Sequence, residues 1–96
     1  MRIRGIIWLS EICGKILTKH NVRMTEVEEV FNSRPHMRHV RKGYRRGEDV
    51  YAALGRTAAG RLLIVFFIRK LSGEALIVSA RNMDAKERRL YEKAKS

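Results

Sequence analysis

Ninety-six residues fall just short of one typical domain, which excludes a multi-domain enzyme and predicts a single fold over residues 1–96. Hydrophobic residues make up 45% of the chain and charged residues 32%, enough for a core and against wholesale disorder. The 21 Lys and Arg against 10 Asp and Glu leave +11, so a polyanion is the expected partner, with nucleic acid ahead of anionic membrane or an acidic protein.

Arginine outnumbers lysine by 14 to 7, a bias that suits bidentate recognition of phosphate. Cys13 is the only cysteine, which excludes an intrachain disulfide and a cysteine-based zinc cluster. The longest apolar run, Leu62 to Ile68, has seven residues and cannot span a membrane, which takes about 18. The short patch after Arg2 and Arg4 is broken by Ser10 and Glu11 before a signal-peptide core forms. A reducing, cytoplasmic location with no membrane association is expected.

In chain order, Trp8, Leu9, Ile12, Cys13, Ile16 and Leu17 recur at helical spacing and predict an amphipathic helix over Trp8–Lys19, with Asn21 as a left-handed cap. Gly14 lies inside this helix and costs about 1 kcal/mol relative to Ala unless close packing requires it. Thr25 and Glu28 fit a capping box for a second helix that ends near Ser33, before Pro35. Four strands follow, Met37–Arg41, Asp49–Leu54, Arg61–Arg69 and Ala75–Ala80, joined by glycine-containing turns. The third has no polar alternation, as a strand covered on both faces would have. Asp84 and Glu87 open a last, cationic amphipathic helix with Leu90, Tyr91 and Ala94 on one side. The expected fold is α+β: two N-terminal helices, a four-stranded antiparallel meander and a C-terminal helix.

Residues that could carry chemistry are cationic. Arg34 to Arg46 carries Arg34, Arg38, Arg41, Lys42, Arg45 and Arg46 without an acid, with His36, His39 and Tyr44 between them. Rings among cations suit single-stranded nucleic acid, whose bases stack while Arg holds the backbone; the bland reading is a charged edge strand protected from pairing. Arg56, Arg61 and Arg81 flank or end apolar strands, where a fixed guanidinium could stabilise charge on a phosphorane; each could equally be an ordinary strand-end charge. His20 is either a general acid or base or a helix-end cap. His36 and His39, three apart on a strand, point to opposite faces, so no metal site is expected and no cofactor is implied. No phosphate-binding loop, nucleophile elbow or H-E-x-x-H motif is present.

At this level the chain resembles the BrnT family of bacterial type II toxins. The resemblance runs through Trp8, Lys19-His20-Asn21-Val22, Ala53-Leu54-Gly55-Arg56, Gly60-Arg61-Leu62-Leu63-Ile64-Val65-Phe66, Ile77-Val78-Ser79-Ala80-Arg81 and Glu87-Arg88-Arg89-Leu90-Tyr91. Departures are Leu9 where Asp is frequent, Asn21 in place of Gly and Val50 where Arg is common. The resemblance implies a RelE-like fold, metal-independent RNA cleavage that blocks translation, and neutralisation by a ribbon-helix-helix antitoxin whose complex with the toxin binds operator DNA. The catalytic candidates are then Arg56, Arg61, Arg81 and His20, and the RNA-binding candidates Lys19, Arg38, Arg41, Lys42, Arg45, Arg46 and Tyr91, with Glu87 read as a helix cap. Two other classes compete: a non-catalytic nucleic-acid-binding module, marked by salt-dependent affinity without cleavage, and an interaction protein that receives an acidic antitoxin segment.

Overall fold

The protein, here a computed structural model that describes residues 1–95, is an α+β fold with three helices and one five-stranded sheet. The elements are β1 (Gly5–Ile7), α1 (Ser10–His20), α2 (Met24–Asn32), β2 (His36–Arg41), β3 (Val50–Arg56), β4 (Leu62–Arg69), β5 (Glu74–Asn82) and α3 (Ala85–Lys95). Strand order is β1-β5-β4-β3-β2. The last four strands form the expected antiparallel meander; β1 is an addition, pairing in parallel with β5 through Gly5↔Glu74, Ile6↔Ala75 and Ile7↔Leu76. The four-stranded expectation is therefore corrected to five. Three apolar residues carry no period of their own, and their pairing to a strand about 70 residues away leaves no local trace.

Strand alternation divides the sheet into two faces. Ala53, Leu63, Val65, Phe67, Ile77 and Ala80 point to an inner face, which α1 and α2 cover with Ile16, Val27, Val30 and Phe31. Each of the larger side chains among them, taken fully out of water, contributes about 1.5–3 kcal/mol. Phe31 meets Phe67 edge-on at 5.3 Å between centroids, and Tyr51 stacks on Phe67 at 5.9 Å. Ala52, Leu54, Ile64 and Met83 point to the outer face, where α3 lays Leu90 and Tyr91 over them. The central strand β4 is thus apolar because both faces are covered.

The helix ends differ in detail from the expected ones. Asn21 does close α1 in the left-handed conformation (φ 53°), its N–H bonded to the carbonyls of Ile16 and Leu17. The second helix starts two residues earlier than a Thr25 cap requires, with Arg23 in the N-cap position. Its reciprocal bond runs from the Arg23 N–H to Glu26 Oε1 at 3.0 Å, because Glu26 is itself held by Arg61. Gly14 is exposed and open, so no close approach explains it. At α3 the Asp84–Glu87 box forms in both directions, with bonds of 2.7 and 2.9 Å, whereas Ala94 is exposed rather than on the packed side.

Candidate functional site

β5 and α3 meet at a short turn, and this brings Arg81 and Glu87 together on the outer face. Arg81 donates from Nη1 and Nη2 to the two carboxylate oxygens of Glu87 at 2.8 and 2.9 Å, and its guanidinium lies over the Phe66 ring at 5.5 Å. Glu87 Oε1 also accepts the Asp84 N–H. The Arg81 hydrogen bonds, aided by that N–H, hold the Glu87 carboxyl below its usual range against the opposing effect of burial, and the same pairing raises Arg81. Both groups are therefore charged at neutral pH.

Beside this pair runs a groove of about 290 Å³ between α3 and β2. Its floor is Ala52, Leu54, Ile64 and Phe66, and its walls include Glu87, Leu90 and Arg38. Register explains the meeting: Arg38 pairs with Ala52, and Ala52 with Phe66, so one row of the outer face carries a cation, a small residue and a ring. Arg38 is exposed and its guanidinium has no protein partner among the described residues. A free cation, a fork-shaped cation with a carboxylate ready to be displaced, and an apolar floor can hold a phosphodiester with its base or sugar against Phe66.

The remaining candidates fall elsewhere. Arg56 is exposed on the far side of α3, in a hollow with Leu62, Tyr91, Glu92 and Lys95, so the helix stands between it and the Arg38 groove. Tyr91 packs against the outer-face cluster and carries Lys95 Nζ over its ring at 5.7 Å. Lys19 is exposed and His20 half-buried in the last turn of α1, on the helical layer. Arg61 is spent on the fold. Its Nε donates to Asn82 Oδ1 at 2.8 Å, Nη1 to the Asn21 carbonyl at 2.6 Å and to Glu26 at 3.2 and 3.3 Å, and Nη2 to the His20 carbonyl at 2.8 Å. One guanidinium thereby clamps the α1–α2 corner to the end of β5, and the Asn82 carbonyl accepts from Arg81 in turn.

The basic stretch also divides. Arg38 belongs to the groove, Arg41 lies exposed at the end of β2, and Lys42, Arg45 and Arg46 sit in the β2–β3 loop at the opposite end of the sheet from Arg56 and Arg81. His36 and His39 do point to opposite faces, paired with Leu54 and Tyr51, and His39 Nε2 lies 3.0 Å from Asp49 Oδ2. Glu87 is the helix cap that its position in the sequence suggests, and what the sequence did not show is its pairing with Arg81, six residues before it at a strand end. Among the described residues no group of three or more His, Cys, Asp or Glu could hold a metal ion. Among the described residues no helix is long and apolar enough to cross a membrane.

Among solved structures, the crystal structure of the Brucella abortus ribonuclease toxin BrnT superposes with a TM-score of 0.58, covering 83% of this chain and 96% of that one. At 16% identity the likeness establishes a common fold. No curated protein matches the chain at a significant level. The family model described as "Ribonuclease toxin, BrnT, of type II toxin-antitoxin system" matches residues 13–87, which takes in most of α1, all of α2, every strand from β2 to β5, and the Arg81–Glu87 pair. The chain therefore belongs to the BrnT family of ribonuclease toxins of type II toxin–antitoxin systems.

Proposed function

We propose that this protein is an endoribonuclease toxin that cuts single-stranded RNA in the outer-face groove, using the RNA's own 2′-hydroxyl as nucleophile and no metal. The observation that carries this reading is the bidentate Arg81–Glu87 pair opening on a groove walled by Arg38. A scissile phosphate takes the place of the Glu87 carboxylate on Arg81, since both present two oxygens to the same fork. The freed carboxylate, no longer held down by Arg81, becomes more basic and takes the 2′-hydroxyl proton. The 2′-oxygen then bonds to phosphorus, the bond from phosphorus to the 5′-oxygen breaks, and Arg81 with Arg38 stabilises the extra charge on the phosphorane. The products are a 2′,3′-cyclic phosphate and a 5′-hydroxyl, whose proton comes from solvent or from Glu87.

In this reading Arg56 and Tyr91 guide RNA on the other side of α3, Lys19 adds long-range attraction, and Arg41, Lys42, Arg45 and Arg46 contact the backbone beyond the groove. His20 and Arg61 act through the fold, by shaping the α1–α2 corner. The RelE-like label, the block of translation, cytoplasmic action, a ribbon-helix-helix antitoxin and operator binding by the complex are parts of the same proposal. Their support is membership of a type II toxin family, which implies an antitoxin partner.

The test is incubation of the protein and its Arg81→Ala variant with end-labelled single-stranded RNA in EDTA, with products resolved on a gel and their ends examined for cyclic phosphate. Cleavage by the parent and not by a folded variant supports the proposal. Equal cleavage by both removes Arg81 from the site, and binding without cleavage by either favours the non-catalytic module.

A further inference from the structure

We infer that the β2–β3 loop and the β4–β5 turn together form a second RNA-binding site, separate from the cutting groove, that stacks a base on Tyr44 and holds the backbone on arginine. This rests on the reading of the chain as an RNA-directed protein. The loop and turn enclose a hollow of about 380 Å³ lined by Lys42, Tyr44, Arg45, Arg46, Arg69 and Lys70, among others. It lies at the opposite end of β4 from Arg56, roughly 23 Å along an eight-residue strand. The exposed Arg38 and Arg41 of edge strand β2 mark a cationic track between the two ends.

Three features set this hollow apart from a merely soluble sheet edge. Tyr44 is wholly exposed, at 103% of its reference accessibility, between a glycine and two arginines, a poor position for a large ring unless something covers it. Arg69 is partly buried, its Nε is enclosed without a hydrogen-bond partner, and among the described residues no carboxylate forms an ion pair with its guanidinium. The nearby carboxylate that could compensate, Asp49, is committed: Oδ1 accepts the Gly43 N–H at 2.9 Å and Oδ2 lies against His39. An incoming phosphate would supply the missing anion.

The loop is also shaped in advance. Gly47 has φ +76°, and a Cβ there would stand 2.8 Å from Leu71 Cγ, so the loop lies directly on the β4–β5 turn. A Cβ at Gly43 would stand 2.5 Å from the Glu48 backbone, which closes the loop at its base. Such preorganisation removes part of the ordering cost of binding. A fully exposed ring flanked by exposed cations matches what single-stranded RNA offers, since every base has a face to stack and every linkage a charge. An acidic peptide would use the cations and leave the ring without a role.

The test measures binding of a fluorescent 2′-O-methyl RNA of about 16 nucleotides across a salt series; lacking the nucleophile, it reports binding whether or not the protein cuts. Arg45→Gln with Arg46→Gln is expected to weaken binding about tenfold and to lower the slope of log K against log salt by about 1.4. Tyr44→Ala is expected to weaken binding by about fivefold or more with the slope unchanged. Arg2→Gln with Lys15→Gln removes the same charge from exposed positions elsewhere and should change affinity less than about twofold. If the loop pair behaves as this control does, or if Tyr44→Ala binds as the parent does, the site is refuted. If these shifts appear but the parent fails to cut the corresponding 2′-hydroxyl RNA, the loop site stands and the ribonuclease reading falls.

Discussion

Removing the Arg61 guanidinium should destabilise the fold far more than an ordinary strand-end charge would. It makes four sets of bonds, to the His20 and Asn21 carbonyls, the Glu26 carboxylate and the Asn82 side chain, all between 2.6 and 3.3 Å. A hydrogen bond to a charged group contributes about 1.5–3 kcal/mol net, but these do not add, because one side chain serves them all. The side chain is 25% exposed and Glu26 22%, so water recovers part of the loss. About 3 kcal/mol is expected for Arg61→Ala, which in a chain of this size lowers Tm by about 12–24 °C. Arg61→Lys should recover little, since one ammonium cannot span acceptors on two helices and a strand. Urea unfolding followed by circular dichroism measures the change, and a double-mutant cycle with Glu26→Gln isolates the ion pair. A loss below about 1 kcal/mol would refute the clamp and return Arg61 to the candidates for phosphate binding.

Glu87→Gln should abolish RNA cleavage in the EDTA assay while costing only about 1 kcal/mol of stability, because Arg81 is a third exposed and solvent screens the pair. Its pH signature is fixed in sign. The carboxyl is held below its ordinary 4.5, so its stabilisation is present above that value and lost as pH falls through the folded-state value. Urea midpoints taken downward from about pH 5 should therefore drop more steeply for the parent than for Glu87→Gln; parallel curves would contradict the pairing. Gly55→Ala should cost about 1–3 kcal/mol in the same unfolding assay, since its Cβ would stand 2.8 Å from Ser33 Oγ and 2.9 Å from Val30 Cγ1, and an unchanged midpoint would show that the α2–β3 contact can spread. Asn21→Gly should preserve stability at the left-handed cap, whereas Asn21→Val should lose about 1–2 kcal/mol; equal midpoints would place the cap strain elsewhere.

Much of the architecture could be read locally. Helical spacing in Ile12, Ile16 and Leu17, a run of unbroken apolar residues in β4, and an Asp84–Glu87 box each describe their own surroundings, and the structure places a helix, a doubly covered strand and a helix start there. The Arg56, Arg61 and Arg81 set was less legible. In the sequence all three are cations at strand ends; in the fold one is exposed beyond α3, one is consumed by a helix corner and one faces a groove. A basic residue's availability depends on which acceptors approach it, and those acceptors come from elements up to about 40 positions away.

The sequence by itself determined the fold class, the strongly cationic charge and the family resemblance, because composition, periodicity and motif are carried by neighbouring residues. Tertiary structure alone decided the parallel β1–β5 pairing, the Arg81–Glu87 fork over Phe66 beside Arg38, and the separation of the Tyr44 loop from the groove. Each of those depends on strand register and on which side of a sheet a helix returns to. Register and return are set by the packing of whole faces, which no short window of sequence contains.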